Sequence, residues 1–233
     1  MNHINEALQK YSIEHPGDSG PEHPCVTCGA EVEPVTYGTG PMAVTEHPAQ
    51  CRNCHAQWLY RVALRECGIP PRIQGDAEQY KRTPIKPLRP LINRVAKGDS
   101  VLIYGPTGPG KSVLAAQVTM ACLAKQLRGY WLHESQLPEV MWEDREKYRL
   151  KRLAKAQFVV VDDLGIKASI AQATNTFVDW AYSEQVPLIV TANHDLDHLY
   201  ADEVYRRAAS RLSSMCSGGV VAMMTADRRR GNP

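Results

Sequence analysis

The chain has 233 residues, of which 43% are hydrophobic and 22% are charged, a composition typical of a globular protein with a buried core. Its formal net charge of +2 argues against nucleic-acid binding through an overall basic excess. Local runs at 145–155 and 227–230 are the candidates for such contacts, with a solvated surface as the alternative. No apolar run approaches the ~18 residues of a membrane span, and no signal-peptide pattern opens the chain. The sequence therefore predicts a cytoplasmic protein without a membrane partner.

The N-terminal segment lacks the apolar periodicity that a core requires. Residues 21–57 are rich in Pro, Gly, Cys and His, so they need a metal ion or a covalent cross-link to form a stable structure. A helix is predicted over residues 56–68, and one of its faces carries four apolar side chains: Trp58, Leu59, Val62 and Ala63. Residues 69–87 contain four prolines and are predicted to form a linker that packs on the following domain.

From about residue 85 onward, short apolar runs alternate with helical patterns. Strands are predicted at 100–105, 129–134, 157–163, 187–193 and 219–224. Helices are predicted at 111–128, 135–155, 168–184 and 201–215. This alternation predicts an α/β fold in which a parallel sheet carries helices on both faces.

Two C-x-x-C pairs, Cys25 with Cys28 and Cys51 with Cys54, are separated by 22 residues. The spacing is close to that of a zinc ribbon, and four thiolates that point at one ion form a closed tetrahedral site. The predicted zinc is therefore structural. Four unrelated thiols or two disulfides are the alternative, and a histidine in place of one cysteine is a further one. The flanking histidines are His23, His47 and His55.

The segment GPTGPGKS, residues 105–112, matches the phosphate-binding pattern G-x-x-x-x-G-K-[ST] at every fixed position. It follows a predicted strand and opens a predicted helix, so backbone N–H groups and the helix N-terminus can hold phosphates. Lys111 is expected to reach the β- and γ-phosphates and Ser112 to bind Mg²⁺, whereas Pro109 lacks an N–H. The predicted nucleotide-binding residues are Gly105, Pro106, Thr107, Gly108, Pro109, Gly110, Lys111, Ser112 and Val113.

Polar side chains end the two strands that follow. Asp162 is expected to hold Mg²⁺ through water, as the Walker-B carboxylate does in P-loop proteins. Asp163 stands where a general base would polarise the attacking water, but most hydrolysing relatives have the longer Glu there. Slow hydrolysis or an intervening water is therefore expected, with a cap on the next turn as the alternative role. Asn193 is expected near the γ-phosphate as a polar sensor, or else as a turn former.

In their order, the motifs GPTGPGKS, VVVDDLG, IVTAN and YRRAASRLSSM make residues 85–230 resemble the AAA+ core of DnaC/DnaI-type helicase loaders. That group is also similar to the IstB transposition helpers. The segment CGIPPRI resembles the linker of these proteins, which packs near the nucleotide base. The resemblance implies an AAA+ (ASCE) P-loop NTPase sheet without a full helical lid. It also implies a slow, assembly-dependent and Mg²⁺-dependent ATPase that binds ATP and single-stranded DNA.

In the same family an arginine near the end of an RxxxR helix reaches the nucleotide of a neighbouring subunit. Arg211 matches that position and Arg207 precedes it by one turn, which implies self-association through an arginine finger. Surface ion pairs with Asp202 or Glu203 are the alternative. The run Arg228–Arg230 is a candidate for a sensor arginine or a DNA contact.

DnaI-type loaders similarly carry a zinc-bearing N-terminal domain that binds the replicative helicase, whereas IstB helpers generally lack one. The resemblance implies a small zinc-ribbon-like docking module over residues 1–60, a helix and linker over 61–84, and the ATPase core over 85–233. The predicted function is a helicase loader in DNA replication. A transposition helper ATPase and a nucleotide-binding adaptor with negligible hydrolysis are the alternatives.

Overall fold

The computed structural model describes residues 23–37, 43–80, 87–108, 110–142, 147–165 and 167–224. Pro109, Arg145 and the run 227–230 therefore lie outside the described residues. The chain divides into two compact units, Met1–Val62 and Ala63–Pro233. No helix within the described ranges is long and apolar enough to cross a bilayer.

The first unit contains a hairpin and most of a helix, whose last turn belongs to the second unit. Strands β1 (Val35–Tyr37) and β2 (Val44–Glu46) pair antiparallel, and the hydroxyls of Thr36 and Thr45 lie 2.9 Å apart across the pair. Helix α1 (Arg52–Cys67) begins earlier than the predicted residue 56.

The core of the first unit is made by cysteines. Cys25, Val32 and Cys54 form its buried cluster. Trp58, which the helical pattern assigned to an apolar face with its neighbours, is instead 51% exposed, and its ring stacks on His55. Leu59, Val62 and Ala63 are half-buried, so Trp58 alone departs from the predicted apolar face.

The second unit contains a parallel sheet of five strands in the order β4–β5–β6–β3–β7. Its strands are β3 (Val101–Tyr104), β4 (Gly129–His133), β5 (Phe158–Leu164), β6 (Leu188–Ala192) and β7 (Val220–Ala222). Its helices are α2 (Pro71–Gln79), α3 (Leu88–Ala96), α4 (Lys111–Ala124), α5 (Leu137–Trp142), α6 (Lys147–Leu153), α7 (Ala171–Ser183), α8 (Leu196–Ala201) and α9 (Arg206–Met215). The predicted parallel α/β sheet is thus confirmed.

Helices cover both faces of this sheet. Side chains along each strand alternate between the two faces, and both sets are buried. Leu132, Val161 and Val190 belong to the cluster that includes the side chains of α5 to α9. The interleaved Val160 and Ile189 are also fully buried, and α4 contacts the strands β3 to β6. The two-sided burial explains the unbroken apolar runs in the strand sequences.

The segment that was predicted to be a linker contains helix α2. Pro70 precedes the helix and Pro71 occupies its first turn, where a missing N–H leaves no bond unmade. Ala77 is buried, and the Gln117 amide of α4 donates to the carbonyls of Ala77 and Tyr80 at 3.4 and 3.1 Å. Prolines that suggested a linker therefore start a helix that packs on the phosphate-loop helix.

The predicted helix over 201–215 corresponds to α9, which begins at Arg206, and the additional short helix α8 precedes it. The carboxylate of Asp202 accepts the N–H of Val204 at 2.9 Å, so a turn separates them. The predicted helix over 135–155 likewise comprises a short 3₁₀ turn (Glu134–Gln136) followed by α5 and α6.

Candidate nucleotide site and cysteine cluster

The carboxyl ends of neighbouring parallel strands surround one cavity. The phosphate loop follows β3, Asp162 lies in β5, and Asn193 comes directly after β6. His133 ends β4 in register with Asp162. In open α/β sheets, ligands bind at the carboxyl ends of the strands, at the point where the strand order reverses. The cavity of about 600 Å³ has the size of a small-molecule site.

The first glycine of the phosphate loop is required by the neighbouring strand as well as by the loop. Gly105 has a φ of 147°, and a Cβ at this position would lie 2.1 Å from the carbonyl oxygen of Met223, just after β7. Its N–H donates to Ala192 of β6 at 3.2 Å. Gly110, with a φ of 93°, directly precedes α4. Both ends of the loop therefore adopt a backbone that favours glycine.

The loop lysine is buried and held in place without a ligand. Lys111 is 5% exposed, and its Nζ donates to the Pro106 carbonyl at 2.8 Å and to Asn193 Oδ1 at 2.9 Å. The structure thus brings together the predicted phosphate-binding lysine and the predicted sensor amide. An ammonium group has three donors, so the same nitrogen can serve these acceptors and a phosphate oxygen.

Asp162 is the centre of a buried hydrogen-bond group. Its Oδ1 accepts from the hydroxyls of Ser112 at 2.8 Å and Thr191 at 2.6 Å. Burial raises the pKa of Asp162 above its usual value, although these two hydrogen bonds oppose the rise. The structure thus places Ser112 and Asp162, the two residues predicted to hold Mg²⁺, side by side.

Asp163 takes a different direction from its neighbour. Its φ is 61°, and the register between β5 and β6 is interrupted between Val161 and Leu164. Its N–H donates to Thr191 Oγ1 at 2.9 Å, and its Oδ2 lies 3.6 Å from His133 Nε2. In the turn that follows Asp163, the Gly165 N–H donates to Glu134 Oε1 at 3.0 Å.

Ser135 fixes the orientation of the His133 ring. Its Nδ1 accepts the N–H of Ser135 at 3.2 Å and lies 2.8 Å from the Ser135 hydroxyl oxygen. The other ring nitrogen, Nε2, therefore faces Asp163 at the rim of the cavity.

Helix α2 forms one wall of the cavity. Its lining residues include Arg72, Ile73, Asp76 and Gln79, followed by Tyr80. They face the same space as the phosphate loop, so side chains of the proline-rich segment are available to a base or a ribose. Sequence analysis identified only its resemblance to a base-proximal linker.

Sequence analysis also missed Thr191, His133 and Glu134. Thr191 had a detectable signal, because it lies two residues before Asn193 and side chains two apart share a strand face. His133 and Glu134 come from a strand on the far side of β5, and only the pairing of β4 with β5 brings them to the site.

Arg207 and Arg211 of α9 share one carboxylate, that of Asp179 in α7. Arg207 Nε pairs with Asp179 Oδ2, and Arg211 Nε donates to Oδ1 at 3.2 Å. The ion pairs that stood as the alternative are therefore present, but their partner is Asp179 and not Asp202 or Glu203. Only the packing of α9 on α7 brings Asp179 close, and i,i+4 reasoning within one helix cannot find it.

The four cysteines of the two C-x-x-C pairs meet in the first unit. Their Sγ atoms all lie within 4.8 Å of one another, and those of Cys28 and Cys51 are 3.7 Å apart. In a tetrahedral zinc site, Zn–S bonds of ~2.3 Å separate the sulfurs by about 3.8 Å. The donor set and its spacing therefore fit one zinc ion, and no histidine joins the cluster within the described residues.

The second cysteine pair lies at the start of α1 rather than in a separate turn. Burial raises the pKa of the Cys25 thiol, but hydrogen bonds from backbone groups, that of Cys51 first, outweigh it and lower the pKa to about 6. Burial, together with its thiol neighbours, raises the pKa of Cys54 to about 12. The pKa values of Cys25 and Cys54 are thus shifted in opposite directions within one cluster.

No protein-family model and no curated protein matches the chain. Among solved structures, the DnaC helicase loader is similar with a TM-score of 0.47 and 20% identity, over 60% of this chain and 86% of that chain. DnaI is similar with a TM-score of 0.48 and 17% identity, over 66% and 81%. AMPPCP-bound DnaA from Aquifex aeolicus has a TM-score of 0.47 and 17% identity, over 61% of this chain and 47% of that one. The helicase loaders that the motifs resemble are thus among the similar structures. The fold of this chain is assigned from its own strand order and phosphate loop.

Proposed function

We propose that this protein is a Mg²⁺-dependent AAA+ ATPase that acts as a helicase loader in DNA replication. The observation that carries the ATPase proposal is the convergence of Lys111, Ser112, Asp162 and Asn193 beside the phosphate loop. The loader proposal rests on the sequence resemblance, and a separate four-cysteine unit supports it.

Each polar group at the cavity has a proposed task in hydrolysis. Lys111 neutralises the β- and γ-phosphates, and Asn193 holds its ammonium. Ser112 and Asp162 hold Mg²⁺, which when bound offsets phosphate charge. Asp163 orients the attacking water. Arg211, with Arg207 one turn before it, comes from a neighbouring copy and stabilises charge on the γ-phosphate.

The remaining parts of the chain have roles in docking. Residues 1–60 form the zinc-binding module that binds the replicative helicase, and the linker region 61–84 connects it to the core. The core over 85–233 binds ATP and single-stranded DNA in the cytoplasm. Cys25, Cys28, Cys51 and Cys54 hold a structural zinc ion, which orders a segment that has few other buried side chains.

A nucleotide-binding adaptor is the second candidate, and the position of Asp163 favours it. This carboxylate is shorter than the usual glutamate, and its Oδ2 faces the imidazole of His133 at 3.6 Å. Phosphate release by the wild type, Asp163→Asn and Lys111→Ala separates the two. An ATPase loses release in both variants, whereas Asp163→Asn keeps its nucleotide affinity. Equal, background-level release by all three proteins would establish the adaptor.

The loader role is tested by co-purification with replicative helicases and by helicase deposition on single-stranded DNA in the presence of ATP. Cys28→Ser with Cys51→Ser should abolish helicase capture and leave ATP affinity unchanged, because the thiols and the phosphate loop belong to different units. Thr27→Ser, between the first two cysteines, is the matched control. Capture of a transposase in place of a helicase would overturn the loader and support the transposition helper.

A further inference from the structure

One partly buried carboxylate pairs with both arginines that are candidates for the trans contact. Asp179 has a side chain that is 19% exposed, and its two oxygens each take one guanidinium, Oδ2 that of Arg207 and Oδ1 that of Arg211. Two like charges one helical turn apart repel each other. The carboxylate between them offsets that repulsion and makes the two arginines one unit.

Both arginines contact Asp179 through Nε, the guanidinium nitrogen nearest the backbone. The side chain of Arg207 remains 71% exposed and that of Arg211 remains 44% exposed. Guanidinium groups also present terminal N–H donors, which suit the oxygens of a phosphate. The pairing thus orients the two side chains and leaves these donors available to an external anion.

The surroundings of the pair have the composition of a protein interface. The Arg211 guanidinium lies 4.5 Å above the ring of Tyr182, which restricts it further. Tyr200 is 55% exposed and Val204 is 42% exposed on the same side, where they line cavities together with Arg207. Tyrosine and arginine are the residues that dominate binding energy at interfaces.

We infer that Asp179 is a positioning residue that holds Arg207 and Arg211 as one pair, and that both together bind the terminal phosphate of a nucleotide in a second copy of this chain. The inference rests on the proposed ATPase. It goes further in assigning the trans contact to two arginines instead of one and in naming the carboxylate on which both depend. A second copy fits this surface because a nucleotide bound in its phosphate-loop cavity would offer a multiply charged anion, which suits two guanidinium groups.

The test compares Asp179→Asn with Glu139→Gln in the full chain. Both changes remove one negative charge, and Glu139 is exposed on α5 and lines neither of the cavities beside the arginines. Turnover per chain is measured against protein concentration, and nucleotide-dependent self-association is measured with AMPPCP. Asp179→Asn should lower the concentration-dependent turnover about tenfold, since a shift of about 1 Å in a catalytic group costs up to ~100-fold. Glu139→Gln should match the wild type.

Mixing experiments separate a positioning role from a general structural one. Lys111→Ala keeps its arginine pair but lacks a working nucleotide site, whereas Asp179→Asn keeps its nucleotide site. A mixture of the two should exceed the sum of the separate rates, because Lys111→Ala supplies the arginines to the other chain's nucleotide. A mixture that only equals the sum would overturn the inference.

Failure of the inference and failure of the proposed function have different signatures. Wild-type turnover that does not rise with concentration, together with no AMPPCP-dependent self-association, would overturn the assembly-dependent ATPase and the inference with it. Concentration-dependent turnover that is lost in Arg207→Ala and in Arg211→Ala, but kept in Asp179→Asn, would overturn the inference alone. Loss in only one of the two arginine variants would overturn the paired contact.

Discussion

Thr191 offers a direct test of how the carboxylate strand is held, because one hydroxyl makes two hydrogen bonds. It donates to Asp162 Oδ1 at 2.6 Å and accepts the N–H of Asp163 at 2.9 Å, and the residue is fully buried. Thr191→Val keeps the shape of the side chain and removes both bonds. A hydrogen bond to a charged group contributes about 1.5–3 kcal/mol, and a buried unpaired N–H costs about 1–3 kcal/mol.

The two ranges sum to about 2.5–6 kcal/mol, and we expect a loss in the free energy of unfolding near the lower end, about 3 kcal/mol, because Ser112 still donates to Asp162. For a unit of this size such a loss lowers Tm by about 6–12 °C. Urea unfolding without nucleotide or Mg²⁺ measures it. Thr176→Val is the matched control, because that hydroxyl bonds to Gln172 on an exposed helix face and its loss changes stability by less than ~0.5 kcal/mol. If Thr191→Val and Thr176→Val were equally stable, the buried hydrogen-bond group would not restrain the carboxylates. Mg²⁺-dependent nucleotide affinity should fall in Thr191→Val only.

Three further changes test the site and the cysteine cluster. Burial raises the pKa of Asp162, so the folded protein binds that proton more tightly than the unfolded chain does, and ionisation lowers stability as pH rises through this range. In Mg²⁺-free buffer, Asp162→Asn should flatten the fall in urea midpoint as pH rises above about 4, the usual pKa of an Asp; an unchanged pH profile would refute the assignment. With Mg²⁺ present, the same variant should lose Mg²⁺-dependent nucleotide binding. Purified protein should contain about one zinc ion per chain, and Cys54→Ser should lose it without loss of ATP binding, as measured by metal analysis and nucleotide titration. Gly105→Ala should abolish nucleotide binding because its Cβ would lie 2.1 Å from the Met223 carbonyl, whereas Gly75→Ala, with nothing within 4 Å, should bind normally.

The sequence by itself located the phosphate loop, the strand-end carboxylates and the cysteine pairs. Lys111 and Ser112 are specified by a contiguous motif, and Asp162 ends an unbroken β-branched run. Such features depend on spacing within one segment, which a linear pattern records. Parallel strands end at a common edge, so Asn193 could also be assigned to the same region before the strand order was known.

Only the tertiary structure decided which distant side chains meet there. His133 faces Asp163 because β4 pairs with β5, and Asp179 joins Arg207 to Arg211 because α7 packs on α9. The two prolines at the start of α2 suggested a linker, and its packing on α4 made it a wall of the cavity. These contacts join elements that are far apart in the chain, and their geometry is set by sheet order and helix packing, which no local spacing encodes.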